Sequence, residues 1–445
     1  MKKCSLFIVI ALIVSIISTL PAGAVSFTPN KEIYSEAAYL VNLDTGITIY
    51  EKNADKQEYP ASLTKIMTAI LVLENVPDID NTMITAPGYL FDELYKTGAS
   101  TADFRPNETA SAKDLMYGMI LQSACEAASI LADYVGKGNM ANFVQMMNDK
   151  AKEIGATSTH FANPHGLFDA NQYTTARDMA KITEYAMKLS KFSEIANTTS
   201  YTIGTSNKHS ATRTISHTNI MLDKAKGGEY YYPYAKGIKT GTLDESGRCL
   251  VSTASKNGYN YLLVTLHAPL KDAEGKDKFY NYTDAITLYD WAFSYFKSTN
   301  ILTTDEEIAE VPVKFSSGND YVLVSPSDDF STLWPTTLDF SSVQRVVNLE
   351  KDVVAPVKKG AKLGTIELKL SGETLATVDL IAKDNVERSD LEYNLNIAKQ
   401  FTSSAWFKTA IGVIILLIVL YIIFYITVTR KKRRKNKRVN KKRRF

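Results

Sequence analysis

A stretch without a charged side chain, the 21 residues from Thr409 to Thr429, limits what the end of this 445-residue chain can form. About 20 apolar residues in a row are what an α-helix needs to cross a bilayer. Because backbone groups in lipid must pair within the segment, this stretch is predicted to be one transmembrane helix. Residues 430–445 hold 12 Lys and Arg and no acidic residue, so the positive-inside rule predicts that this basic tail is cytoplasmic.

The amino terminus has the pattern of a secretory signal peptide over residues 1–24. Two lysines are followed by the apolar run Leu6 to Leu20 and by the small residues Ala22-Gly23-Ala24. We therefore expect an exported protein that is held at the plasma membrane by a single span. Its body would lie on the extracytoplasmic side.

The charge of the exported body excludes a nucleic-acid partner. Without the 14 basic residues of the signal peptide and the tail, the body has 37 Lys and Arg and 48 Asp and Glu, which gives a net charge of −11. Removal of the signal peptide would leave Cys125 and Cys249, which are too few for a disulfide scaffold. Whether these two cysteines pair is left open by the sequence.

The pattern over residues 25–298 predicts one domain. Runs with strand character over 38–53 and 236–267 enclose a mainly helical middle over 62–195. Since the two strand sets come from opposite ends of this segment, we predict that they share one sheet, flanked by helices.

The pattern of the sequence changes after residue 298, from mixed helix and strand to strand alone. Short β-rich runs over 299–384 predict a separate, small β-sandwich-like domain. Residues 385–408 are expected to form an amphipathic stalk between this domain and the membrane.

Two short motifs indicate chemistry. Ser62-Leu63-Thr64-Lys65 opens an apolar run with helical spacing, and Lys239-Thr240-Gly241 lies far downstream in a predicted strand. Residues three apart lie on one face of a helix, so the Lys65 amine can reach the Ser62 hydroxyl. A serine hydroxyl is a weak nucleophile until a base takes its proton, and a neutral amine can be that base. Together the motifs indicate a serine that is acylated by peptide-like substrates.

Three passages resemble the serine-type D-alanyl-D-alanine carboxypeptidases, the low-molecular-mass penicillin-binding proteins. They are Pro60 to Ala69, His160 to Ala180 and Gly237 to Val251, and Val353 to Ile381 is similar to the family's C-terminal β domain. The resemblance implies an α+β fold. It consists of a serine β-lactamase/penicillin-binding-protein-like transpeptidase domain with a helical subdomain, the small β domain, and one C-terminal transmembrane helix.

The resemblance also implies roles for residues. The substrate would be a peptidoglycan stem peptide ending in D-Ala-D-Ala, and β-lactams would be covalent inhibitors. Ser62 would attack, with Lys65 as the base and Ser123 as a proton relay. The substrate would bind along the segment Lys239-Thr240-Gly241-Thr242, and its carboxylate would bind Lys239, Thr240 and Thr242. Neither a cofactor nor a metal is expected, and the spacing of His160 and His165 is not that of a zinc motif.

The chain departs from the family's Ser-x-Asn motif, which here reads Ser123-Ala124-Cys125. If the asparagine normally binds an amide of the substrate, a thiol in its place would cost about 1–3 kcal/mol. This departure would mean a slower enzyme, an altered substrate, or a catalytically silent peptidoglycan-binding protein. A separate alternative among enzymes is a D,D-endopeptidase or a weak β-lactamase. Cys249 is predicted to be a packed strand residue, and Arg248 to be either an anion-binding or a surface residue.

Overall fold

The computed structural model describes residues 28–95 and 97–442, with side chains through Arg433 apart from the gap. The predicted signal peptide lies outside the described residues. The chain divides into two compact units. The first runs through Thr299 and also includes Thr332–Asp339, and the second holds Asn300–Ser331 and the residues from Phe340 on. The domain boundaries expected after residues 298, 384 and 408 stay predictions.

The first unit contains nine strands among its described residues, and five of them form its central sheet. They are β1 (Ala37–Asn42), β2 (Thr48–Lys52), β3 (Met83–Thr85), β4 (Thr109–Ser111), β5 (Ser200–Ile203), β6 (Arg213–Ser216), β7 (Ala235–Leu243), β8 (Gly247–Lys256) and β9 (Tyr259–Ala268). The sheet is antiparallel in the order β2-β1-β9-β8-β7. Strands from both ends of the segment thus share one sheet, as predicted.

The helices of the first unit follow the predicted helical middle and close the segment. They are α1 (Lys65–Asn75), α2 (Ala112–Leu121), α3 (Cys125–Val135), α4 (Met140–Ile154), α5 (Ala176–Met187), α6 (Ser190–Ala196), α7 (Lys224–Gly227) and α8 (Tyr280–Tyr295). Short 3₁₀ turns cover Ala61–Thr64, Gly88–Phe91, Ile220–Leu222 and Gly228–Tyr230.

Both faces of the sheet are covered, because successive side chains of a strand point to opposite faces. On β9, Leu262 and Val264 belong to the core that includes Ile66 of α1. Leu263, between them, belongs to a second core with Leu288 of α8. The central strands are therefore buried on both faces of the sheet.

The second unit is an all-β body followed by two helices. The strands that lie wholly or partly in this unit are β10 (Phe296–Leu302), β11 (Ala309–Lys314), β12 (Tyr321–Pro326), β13 (Phe330–Pro335), β14 (Gln344–Leu349), β15 (Val353–Val354), β16 (Lys362–Leu370) and β17 (Glu373–Ala382), of which β10 and β13 are divided between the two units. Six of them form a sheet in the order β14-β16-β17-β12-β11-β15, and a 3₁₀ turn covers Phe340–Ser342.

Two helices end the chain, α9 (Asp390–Ser403) and α10 (Ala405–Lys442). The part of α10 from Ala405 to Arg433 is long and apolar enough to cross a membrane, and it contains the predicted span 409–429. The predicted fold class, an α+β domain followed by a small β domain and one apolar C-terminal helix, is confirmed.

Candidate active site

Ser62 lies in the 3₁₀ turn Ala61–Thr64, which leads directly into α1. Lys65 is the first residue of α1, and its Nζ lies 3.0 Å from Oγ of Ser62, so the predicted pair is formed. Strand β7 passes close to this turn at Gly241. A Cβ at Gly241 would lie 3.0 Å from Cβ of Ala61 and 3.1 Å from the backbone nitrogen of Ser62. A glycine at this position therefore lets the strand approach Ser62 closely.

The Lys65 amine is fully buried and has three hydrogen-bond partners. They are Oγ of Ser62, Sγ of Cys125 at 3.4 Å, and the carbonyl oxygen of His165. A neutral amine has two N–H donors and one lone pair. It can donate to the carbonyl and the sulfur and accept the Ser62 proton, so these partners satisfy a neutral Lys65. Burial lowers the pKa of Lys65, with Cys125 and Glu126 acting in the opposite direction.

Lys239 is a second buried amine beside the first. It lies on β7, is fully buried, and donates to the carbonyl oxygen of Thr240 at 3.0 Å. Burial, and then repulsion by the charge on Lys65, hold the pKa of Lys239 well below its usual range. Among the described residues neither amine forms an ion pair with a carboxylate, and Glu126 opposes the lowering of the Lys65 pKa only in part.

The acidic group close to Lys65 is Glu126, which is only 2% exposed. Its Oε1 accepts hydrogen bonds from the backbone N–H of Ala102 at 2.7 Å and of Phe104 at 3.4 Å. Burial raises the pKa of Glu126 to about 7. Glu126 therefore anchors the 100–104 loop beside the site.

The structure brings Ser123 and Cys125 to the same site but to different surroundings. Ser123 has a left-handed backbone (φ 61°), and it lines the cavity in front of Ser62. Cys125 is buried at the start of α3, with its N–H donating to the carbonyl oxygen of Ser100 at 2.8 Å. Its thiol contacts Lys65 behind this cavity. The contact between Cys125 and Lys65 was not predicted from the motif.

The cavity in front of Ser62 has a volume of about 210 Å³. Its lining includes five of the predicted site residues, Ser62, Ser123, Thr240, Gly241 and Thr242. It also includes residues that the sequence analysis missed or left ambiguous, namely Ser100, Thr218, Arg248, Phe279, Asn281 and Tyr282.

Arg248 is held in place at the wall of this cavity. Its guanidinium lies 4.2 Å from the centre of the Phe279 ring, and its Nε–H donates to the carbonyl oxygen of Lys278 at 3.0 Å. Arg248 therefore lies at the cavity wall, and its role in binding an anion stays a prediction.

The turn 163–167 packs against the backbone of Ala61 and Ser62. Gly166 has φ +84°, and its N–H donates to Oδ1 of Asn163 at 2.7 Å. Nδ1 of His165 accepts from the N–H of Leu167 at 3.2 Å, which leaves Nε2–H to donate to Glu93 at 3.3 Å. The carbonyl oxygen of His165 binds Lys65. No sequence motif predicts this contact, because every residue type carries a backbone carbonyl.

Comparison with protein families identifies the chain. Residues 24–270 match the D-alanyl-D-alanine carboxypeptidase family, and residues 296–388 match the penicillin-binding protein 5 C-terminal domain. The chain belongs to the D-alanyl-D-alanine carboxypeptidase family, whose members are serine hydrolases. The recognition from the three sequence passages is confirmed.

Individual relatives agree with this assignment. D-alanyl-D-alanine carboxypeptidase DacF of Bacillus subtilis is 28% identical over 360 residues, which cover 80% of this chain and 86% of DacF. A crystal structure of penicillin-binding protein 5 from Haemophilus influenzae is 27% identical, with a TM-score of 0.58, and covers 82% of this chain and 100% of that one.

A third relative is a structure of the Streptomyces K15 DD-transpeptidase, in a variant that has asparagine in place of a cysteine. It is 29% identical, with a TM-score of 0.52, and covers 59% of this chain and 99% of that chain.

Proposed function

We propose that this enzyme is a serine D,D-carboxypeptidase that removes the terminal D-Ala of peptidoglycan stem peptides through an acyl-enzyme on Ser62. The observation that supports this best is the 3.0 Å contact between Oγ of Ser62 and the amine of a fully buried Lys65. Because burial favours the neutral amine, Lys65 has a lone pair with which to accept the serine proton.

The reaction has two steps. Lys65 takes the Ser62 proton while Oγ attacks the carbonyl carbon between the two D-alanines. The C–N bond then breaks, and Ser123 relays the proton from Lys65 to the nitrogen of the departing D-Ala, which leaves Lys65 neutral again. In the second step water attacks the Ser62 ester and gives a proton to Lys65. Lys65 returns this proton to Oγ of Ser62 as the ester C–O bond breaks, and the shortened peptide leaves with Ser62 restored.

The substrate would be held by groups on β7 and β8. Thr240 and Thr242 would bind the terminal carboxylate by hydroxyl donation and Arg248 by charge, and Lys239 would add its charge once the incoming anion raises its lowered pKa. The backbone N–H groups of Ser62 and Thr242 would bind the developing oxyanion, where one such donor is worth about 100- to 1,000-fold in rate. β-Lactams carry a carboxylate and a strained amide, so the same groups would make them covalent inhibitors.

The membrane arrangement is part of the proposal. The apolar helix α10 would anchor the enzyme, with its catalytic unit outside the plasma membrane and the basic tail in the cytoplasm. The peptidoglycan substrate lies on that outer side.

The test is the intact mass of residues 25–404 after incubation with penicillin, beside the Ser62→Ala variant. We expect a stable adduct that the variant does not form, and release of D-Ala from a pentapeptide. An adduct that turns over rapidly would favour a β-lactamase. Cleavage of cross-linked peptides without release of terminal D-Ala would favour an endopeptidase. A folded protein that forms no adduct would be a silent binding protein, and Cys125 would then mark a lost site.

A further inference from the structure

Thr218 belongs to neither sequence motif, yet it is one of the residues that form the site. It lies between β6 and the turn Ile220–Leu222, and it lines the cavity in front of Ser62. Its Oγ1 is 2.7 Å from Oγ1 of Thr240, the middle residue of the Lys239-Thr240-Gly241 motif. Thr218 therefore brings a second hydroxyl to the end of the cavity where β7 presents its own.

The two hydroxyls together leave one hydrogen unused. Each threonine hydroxyl has a single O–H donor, and when one donates to the other, the second O–H needs a different acceptor. Among the described residues, no other acceptor is bonded to either hydroxyl. The unused O–H therefore remains available to a ligand in the cavity.

We propose that Thr218 and Thr240 act as one hydroxyl pair that donates a hydrogen bond to the terminal carboxylate of the substrate, with Thr218 as a specificity-determining residue. The inference rests on the proposed function, since it needs a substrate with a carboxylate at this end of the cavity. In the proposed chain Thr240 donates to Thr218 and Thr218 donates to the carboxylate, so Thr240 acts through Thr218 and the first bond polarises the second. A donor to an ionised group gives a stronger bond than a donor to a neutral one, so the pair favours a carboxylate over a carboxamide.

The backbone of Thr218 is fixed without the help of its side chain. Its N–H donates to the carbonyl oxygen of Leu121 at 2.9 Å, and its own carbonyl accepts from the hydroxyl of Tyr282 at 3.2 Å. The next residue, Asn219, donates from Nδ2 to the carbonyl oxygen of Gly237 at 2.7 Å. Replacement of the Thr218 hydroxyl by a methyl group therefore removes the pair and leaves the segment in position.

The experiment compares a peptide ending in D-Ala-D-Ala with the same peptide whose terminal carboxylate is converted to a carboxamide. For Thr218→Val we expect kcat/KM on the acid to fall about 10- to 100-fold, as for the loss of a charge-assisted hydrogen bond, and kcat/KM on the amide to change much less. Thr218→Ser should restore the preference for the acid. Adding Thr240→Val to Thr218→Val should cost little more, because the two residues act as a unit.

The control is Thr202→Val, which breaks a similar hydroxyl pair with Thr214, 3.1 Å apart on the exposed β5–β6 hairpin. It should leave both substrates unaffected. Equal losses on acid and amide, or additive effects of Thr218→Val and Thr240→Val, would overturn the inference. If Thr218→Val does not fold, the same ratio for Thr218→Ser against Thr218→Ala decides the question. A wild-type protein that penicillin does not acylate would instead refute the proposed function.

Discussion

Gly166 is a position where one added methyl group should lower the rate of acylation by more than the loss of stability explains. It lies in the turn 163–167 with φ +84°, and a Cβ built there would be 2.1 Å from the carbonyl oxygen of Ala61. Non-bonded heavy atoms normally lie about 3.5 Å apart, so the turn and the Ala61 backbone must separate by more than about 1 Å. Ala61 precedes Ser62, and the turn carries the His165 carbonyl that binds Lys65, so the displacement moves the proposed nucleophile or its proposed base.

Gly155 provides a matched control, because it has the same φ of +84° and no atom within 4 Å of its ideal Cβ. Alanine at either position pays about 1–2 kcal/mol for the left-handed backbone. Gly155→Ala should therefore lower the free energy of unfolding by that amount and leave acylation unchanged. Gly166→Ala should lose more stability, and its acylation rate should fall about 100-fold, as expected for a displacement of about 1 Å at a reacting group.

The assay is the second-order rate of acylation by a fluorescent penicillin, measured together with urea unfolding of the same three proteins. Comparing rate and stability in one series separates a displaced site from a less stable fold. If Gly166→Ala is acylated as fast as Gly155→Ala, the contact between the turn and Ala61 does not set the position of Ser62, and the reasoning fails.

Three further substitutions test the surroundings of Lys65. Cys125→Asn should raise acylation by a D-Ala-D-Ala peptide about 10- to 100-fold if a substrate amide lacks its partner at this position, and an unchanged rate would refute that account. Glu93→Gln weakens the hydrogen bond to His165 Nε2, so we expect a lower kcat without loss of the fold, to be measured as D-Ala release beside a thermal melt. Because burial raises the pKa of Glu126 to about 7, the folded state holds this proton more tightly than the unfolded state. Its contribution to stability is complete below about pH 4.5 and is lost as the pH rises through 7, so between pH 5 and 8 the wild type should lose about 2–3 kcal/mol more than Glu126→Gln, by urea unfolding at each pH. Parallel pH profiles of the two proteins would contradict this.

The parts of the site that can be predicted from the sequence are those that follow from the spacing of residues within one helix or strand. Ser62 and Lys65 are three residues apart on a helical run, so their contact follows from helix geometry. The strand over 236–242 and the hairpin that follows it have alternating and turn residues, and β7, β8 and β9 lie where these predict. Local patterns were therefore sufficient to place the nucleophile, its base and the strand beside them.

The remaining contacts of the site depend on distant segments and often on backbone atoms. The His165 carbonyl reaches Lys65 across 100 residues of sequence, and any residue type could supply that oxygen. Thr218 meets Thr240 only because the backbone around it is held by Leu121 and Tyr282. Single-sequence reasoning lacks a pattern for such contacts, and for that reason it missed Thr218 and left Arg248 ambiguous.

The surroundings of Lys65 also show how the Ser-x-Asn motif can vary without removal of the base. The amine is bonded to a hydroxyl, a thiol and a carbonyl, all without a formal charge when the thiol is protonated. Either a thiol or an amide at position 125 can accept an N–H from the amine without adding a counter-ion that would hold Lys65 in its charged form. What the thiol cannot supply is the pair of N–H donors of an asparagine. We therefore predict that Cys125 affects the binding of substrate amides and that the proposed activation of Ser62 by a neutral Lys65 is retained.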